Sequence, residues 1–280
     1  VGCALAESTE QQPADFSEKF ADKFLAEGEN TIIGQELYQS QNLYIQITSF
    51  RQDNSDVYVA DIYLRSMDCL QRGFAGGKWK KTQAKVRVIA QDNYAVMAMT
   101  GDNSQNFTAG WVVANGNILR KTKNSKRDLC LIYRTGEMVT LKAAQIDHKK
   151  ITDEMDQLWQ SFLFGPVLLD ENGKAMTKFN TNVGPANPRS VIGYYEPGHY
   201  CLVQVDGRRT ESRLEKGKIN VGMTMKQTSA LMEQLGCAAA YNLDGGQSSV
   251  LWYNGENLSN PYNGGRNVMD AVLILDGAVN

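Results

Sequence analysis

Histidine is almost missing from this chain: only two occur in 280 residues. With His148 and His199 alone, a His-rich metal centre or a Ser-His-Asp relay is a poor fit. His199, between Gly198 and Tyr200 at a strand entrance, reads as structural. The cysteines Cys3, Cys69, Cys130, Cys201 and Cys237 contain no C-x-x-C pair, which argues against a zinc or redox motif. With Cys3 set aside the other four allow three disulfide connectivities, while the apolar runs around Cys201 and Cys237 suit free buried thiols equally well. Excess charge of either sign is also absent. The 29 Lys and Arg against 31 Asp and Glu leave a net charge of -2, so no footprint for nucleic acid or an anionic membrane is visible and no nucleic-acid partner is expected. No apolar run reaches the ~18 residues of a spanning helix.

What is present suits a soluble globular fold, with 42% apolar and 21% charged residues and material for a sizeable core. The start, Val1-Gly2-Cys3-Ala4-Leu5-Ala6, resembles the tail of a signal peptide or a bacterial lipobox, with lipid on Cys3 as the one route to a membrane. The expected setting is therefore secreted or on the outer face of the cell membrane. No repeat, low-complexity tract or linker rich in Pro or Ser divides the rest. The expected organisation is residues 1–12 as that remnant and tail, 13–41 as an N-terminal helix and connector, and 42–280 as one domain.

Phe16, Phe20, Phe24 and Leu25 form a helical stripe within Gln11 to Asn30, predicting an amphipathic surface helix. From Asn42 the texture becomes strand-like. Leu43 to Ile47 and Val57 to Leu64 form a hairpin joined by a four-to-six-residue loop around Asp53-Asn54-Ser55. Further strands are predicted at Val86 to Ile89, Ala95 to Met99, Trp111 to Ala114, Leu129 to Tyr133, Phe162 to Leu169, Val191 to Tyr195, Tyr200 to Val205, Ala238 to Leu243 and Val268 to Leu275. Asn115-Gly116, Asn172-Gly173, Asp206-Gly207 and Asn254-Gly255 read as hairpin turns. Helices are predicted over Ile151 to Gln160 and, with Thr224 as cap and Gly236 as terminator, Met223 to Leu235. The fold class is α+β, a strand-rich mixed-sheet domain with few helices. Two basic runs, Lys78 to Lys85 and Arg120 to Arg127, lie among Gly, Asn and Ser and read as solvated loops.

Chemistry concentrates where buried strands end in acid and glycine. The strongest case is Ala-Ala-Ala-Tyr-Asn-Leu-Asp-Gly-Gly-Gln-Ser-Ser from Ala238 to Ser249, a small-residue strand that runs into a diglycine corner. Glycines there allow close approach of a ligand to the backbone, although Asp-Gly is also an ordinary hairpin corner. Asn242 and Asp244, two apart, share a face. Thr100-Gly101-Asp102, Gly165-Pro166, Asn187-Pro188-Arg189 and Asp206-Gly207-Arg208 end other strands, and Arg266 precedes the last.

In this order, from about Asn42 to Gly277, these motifs resemble the phosphodiester glycosidase family. The resemblance implies hydrolysis of a sugar-1-phosphodiester, releasing free sugar and a phosphomonoester, with no cofactor. It assigns Asp244 first and Asp206 second as nucleophile or base, and Arg189 and Arg208 to stabilise the leaving phosphate. Asp102, Asn242, Gly245, Gly246, Ser248, Ser249 and Arg266 would contact substrate. The carboxylates could hold Ca²⁺ through oxygen ligands, but no loop has calcium-site spacing, so a metal stays undecided. Two positions depart from the family pattern: Thr100 replaces an Asn and Gln247 a third Gly. On their account a module that binds cell-envelope glycan or a glycosyl phosphodiester without cleaving it is the alternative.

Overall fold

The computed structural model describes residues 12–123 and 125–277; the lipobox-like start with Cys3 lies outside them. Short strands β1 (Ile32–Ile33) and β2 (Leu37–Gln39) precede the long hairpin of β3 (Leu43–Gln52) and β4 (Ser55–Leu64), then β5 (Leu70–Phe74). Helix α1 (Val86–Asp92) leads to β6 (Met97–Thr100), β7 (Gly110–Ala114), β8 (Asn117–Thr122), β9 (Leu129–Tyr133) and β10 (Met138–Leu141). Helix α2 (His148–Asp153) and β11 (Leu158–Phe162) come before a second long hairpin, β12 (Arg189–Glu196) and β13 (His199–Val205). The chain closes with β14 (Thr210–Glu211), β15 (Ile219–Asn220), α3 (Met225–Gln234), β16 (Ala239–Asn242), β17 (Leu251–Tyr253), β18 (Glu256–Asn257) and β19 (Asp270–Ile274).

The α+β, strand-rich class holds, and two main sheets carry it. A seven-stranded sheet runs β1-β2-β3-β4-β13-β12-β16, and a five-stranded sheet runs β18-β17-β6-β19-β5. All strand pairings among the described residues are antiparallel, so the strand directions are not mixed as expected. Alternation sorts the faces. Ile45, Ile62, Ile192 and Leu202 of the large sheet meet Met97, Met99, Leu251 and Val272 of the smaller one in the central core. The opposite face of the large sheet, with Val59, Val191 and Val203, is covered by α3 through Leu231 and Met232. Helix α1 covers the outer face of the five-stranded sheet through Val86, Ile89 and Ala90.

Several sequence expectations are corrected. Val86 to Ile89 is the start of α1, not a strand: Val86, Ile89 and Ala90 are buried at helical spacing, a pattern too short to separate from a strand by period alone. The N-terminal stripe buries Phe16 and Phe20, but its backbone forms turns rather than a helix. It is tied at both ends, by Phe16 N–H to Arg65 O and by Leu25 N–H to Ser40 O, which fixes its path more firmly than helix propensity. The helix predicted over Ile151 to Gln160 is α2, a turn of 3₁₀ helix and then β11. The strand predicted over Phe162 to Leu169 stops at Phe162, because Asp102 takes the next two N–H groups and Pro166 has none. The β3–β4 turn is tighter than expected, only Asp53-Asn54, both with positive φ. Arg120 and Lys121 lie on β8 rather than in a loop.

Cys69, Cys130, Cys201 and Cys237 are all buried free thiols. Cys201 and Cys237 approach to 3.7 Å over Gly193, where a Cβ would lie 2.5 Å from one sulfur and 2.8 Å from the other. His199 stacks against Tyr63 at 3.9 Å and Tyr195 at 4.3 Å, with Nε2 2.6 Å from Asp61, the structural setting its position predicts.

Candidate active site

Strand β16 ends inside the protein because Tyr241 and Leu243 are wholly buried. The backbone then turns sharply at the diglycine corner. A Cβ on Gly245 would lie 2.7 Å from Pro188 O, and Gly246, at φ 60°, would place one 2.7 Å from an Arg208 nitrogen. Backbone blocks a side chain at Gly245, and at Gly246 it is the left-handed φ that favours glycine. The corner is held from beneath by the Thr100-Gly101 pair: Gly101 O accepts from Asp244 N–H at 3.1 Å, and the Thr100 hydroxyl donates to Ser248 O and accepts from Val250 N–H.

Around this corner lies a cleft of about 290 Å³. Of the predicted residues, Asp244, Asn242, Gly245, Gly246, Arg189, Arg208 and Arg266 line it, with Asn103, Phe164, Val183 and Asn187. The three arginines are held differently. Arg189 is buried; its Nε donates to Met223 O at 2.9 Å and its Nη2 to Pro185 O, and burial pushes its pKa down to about 10. Arg208 is exposed, sits at φ 53°, donates to Asn187 Oδ1 at 3.3 Å and lies 5.5 Å from the Tyr262 ring. Arg266 Nε donates to the Ser248 hydroxyl at 2.6 Å, and Nη2 stands 3.8 Å from Asp244.

Asp244 is the only carboxylate lining the cleft among the described residues. Burial raises its pKa to about 6, against the opposing pull of the Ser248 hydroxyl and then Arg266. It is thus an acid poised to change charge just below neutrality. Asn242 donates to Gly165 O at 2.8 Å, while its Oδ1 is buried without a partner.

Four predicted site residues stand behind the cleft and do not line it. Asp206 is 1% exposed; one oxygen accepts from Asn260 N–H at 2.8 Å, the other has no partner, and burial raises its pKa to about 7. Asp102 is fully buried and accepts at 2.7 Å from both Leu163 and Phe164 N–H; burial raises its pKa. Ser249 shares a hydroxyl pair with Ser190 at 2.7 Å and accepts from Gln204, and Ser248 acts on the cleft through Arg266 and Asp244 rather than lining it. The two departures from the family pattern also stay out of the cleft: Thr100 is spent on the backbone beneath it, and Gln247 is not among its lining residues.

Asn103 is the polar lining residue the motifs do not point to. It follows Asp102 at φ 55°, a conformation asparagine tolerates better than most residues, and that preference is its one sequence signal.

No cluster of metal-ligating side chains occurs among the described residues. The sequence matches the phosphodiester glycosidase family over residues 86–275. Among curated proteins none matches. The fold is similar to the catalytic domain of zebrafish N-acetylglucosamine-1-phosphodiester alpha-N-acetylglucosaminidase, solved in a form auto-inhibited by its pro-peptide. That likeness has a TM-score of 0.65 at 17% identity and covers 91% of this chain and 86% of that one. A hypothetical protein from Synechocystis is similar with a TM-score of 0.61 at 13% identity, over 84% of this chain and 62% of the other.

Proposed function

The chain belongs to the phosphodiester glycosidase family, and from that membership we propose that it hydrolyses the glycosidic bond of a sugar-1-phosphodiester, releasing free sugar and a phosphomonoester. The observation that carries the reading is the convergence of Arg189, Arg208 and Arg266 with a single carboxylate, Asp244, on one cleft. A glycoside with an alkoxide leaving group needs two carboxyl groups, one to donate a proton and one to attack or to activate water. A phosphomonoester, with its second pKa of about 6, leaves as an anion and needs cations instead. Guanidinium groups grip phosphate oxygens in a fork and stay charged, so three arginines and one acid suit this reaction.

Asp244 then serves as nucleophile at the anomeric carbon or as base for the attacking water. Its raised pKa makes it a better base than an exposed aspartate while leaving it ionised at neutral pH. Gly245 and Gly246, bare of side chains and lining the cleft, let sugar or phosphate come close to the backbone of the corner. We place the reaction outside the cytoplasm on the strength of the lipobox-like start.

The test is product analysis with a panel of sugar-1-phosphodiesters, with and without chelator. Free sugar and phosphomonoester are expected from the native protein, and Asp244→Asn should lower turnover by about 10²–10⁴ with an unchanged circular dichroism spectrum. Full activity in Asp244→Asn removes Asp244 from the mechanism. Binding measured by calorimetry with no product formed replaces hydrolysis by recognition.

A further inference from the structure

Beyond the Phe164–Val183 rim of the cleft lies a second depression of about 300 Å³, and the two hollows share both residues. Lys126, Arg127, Asn180, Thr181 and Asn182 complete its walls. This is the end of the basic run that composition alone leaves as a solvated loop.

Arg127 is not free to roam there. Its guanidinium lies 3.7 Å from the centre of the Phe107 ring, and its Nη1 donates to Phe164 O at 3.0 Å. It is fixed by an aromatic face and a carbonyl, neither of which neutralises it. The acid next in sequence, Asp128, is 3% exposed and turned inward. Its oxygens accept from Ala143 N–H, Val167 N–H and the Asn180 amide. The same amide donates to Lys126 O at 2.8 Å, which fixes the loop that carries both cations. Among the described residues neither Lys126 nor Arg127 has an acid within ion-pair distance, and both are exposed. A planar, oriented, uncompensated guanidinium one rim away from three others is built for anions spaced along a chain.

We infer that this depression is a second phosphate subsite, so that the substrate's aglycone carries a further phosphate, as in a chain of repeated phosphodiesters, with Arg127 as the residue that selects it. The inference rests on the hydrolytic reading of the first cleft, because it takes the aglycone to leave across Phe164.

Two probes separate the possibilities: a sugar-1-phosphodiester with a neutral aglycone, and one whose aglycone ends in a second phosphate. Arg127→Gln is expected to raise KM for the two-phosphate probe about tenfold, the worth of one charge-assisted hydrogen bond, with kcat unchanged and the neutral probe unaffected. Lys126→Gln, at a position with no side-chain hydrogen bond in the fold, should act in the same direction and guards against a folding defect in the first variant. Added salt should weaken the two-phosphate probe more than the neutral one. Equal effects on both probes, or none on either, overturn the subsite. If neither probe is cleaved, the hydrolytic reading fails, and calorimetric binding of the two-phosphate probe to native protein and Arg127→Gln still decides the subsite.

Discussion

Two arginine–aspartate pairs lie on the two sides of the Thr100–Asn103 turn, and they do opposite things with the same chemistry. Arg72 and Asp270 meet at 2.7 Å with side chains 0% and 1% exposed; Arg266 and Asp244 stand 3.8 Å apart, 55% and 8% exposed. In the buried pair nearly every polar atom is used. Arg72 also donates to Ser161 O and the Ser104 hydroxyl, and Asp270 accepts from the N–H groups of Asp102 and Asn103. Gly101 makes room for that carboxylate, since a Cβ there would lie 2.4 Å from an Asp270 oxygen. In the open pair the donors and acceptors face a cleft and are only partly satisfied. A buried, saturated pair holds a backbone in place; an open, unsaturated one is available to a ligand.

The sharpest way to break this contrast is to remove each arginine in turn. Arg72→Met leaves Asp270, and Asp102 beside it, as uncompensated buried charges and should destabilise the fold by about 3–5 kcal/mol, read as a lower urea midpoint. Arg266→Met should change stability by less than about 1 kcal/mol, as for other exposed pairs, while lowering turnover. Equal losses of stability in the two variants would show that the pairs do not differ in kind.

The same contrast explains what could be read from the residues beforehand. Strands β3, β4, β12, β13, β16 and β19 and helix α3 follow from alternation, turn residues and the Thr224 cap, all of which are local. The order of the acid–glycine motifs also brings Arg189, Arg208, Arg266 and Asp244 to one place. Which carboxylates face that place is not a local property. Asp102 is turned inward by N–H groups sixty residues on, at Leu163 and Phe164, and Asp206 by that of Asn260, so neither reaches the cleft although both end strands as Asp244 does. Thr100, which in the sequence is only a departure from the family's Asn, is a support for the corner for the same reason.

Asp206 offers the next largest test, because it is buried like Asp102 yet incompletely satisfied. Its pKa is raised by burial from 3.8 to about 7, so the folded protein holds a proton that the unfolded chain releases. Stability on its account is greatest below pH 4 and falls as pH climbs through 7. The buried Tyr58 hydroxyl has no partner, and the charge of Asp206 adds to the burial that raises its pKa. Asp206→Asn should therefore raise the melting temperature at pH 8, by the equivalent of about 1–3 kcal/mol for relieving an unmet buried group, and flatten the fall between about pH 4 and 7. Cleavage should survive, since the side chain does not line the cleft. Loss of activity with stability intact would return Asp206 to the reaction.

The smallest effect is the most specific to the open pair. If Asp244 must be ionised to act, kcat/KM should fall on the acid side with a midpoint near its pKa of about 6. The Ser248 hydroxyl and Arg266 both lower that value against the effect of burial, and Arg266 also binds the same hydroxyl. Arg266→Gln removes a positive charge that favours the carboxylate, so the acid limb should move to higher pH, by about 0.5–1 unit because the guanidinium is more than half exposed to water. Arg72→Met cannot produce this signature, since any activity it loses through unfolding falls at every pH at which the fold is lost. A limb that stays in place in Arg266→Gln would mean that the group titrating in the reaction is not Asp244, and the division between a holding pair and a working pair would have to be drawn elsewhere.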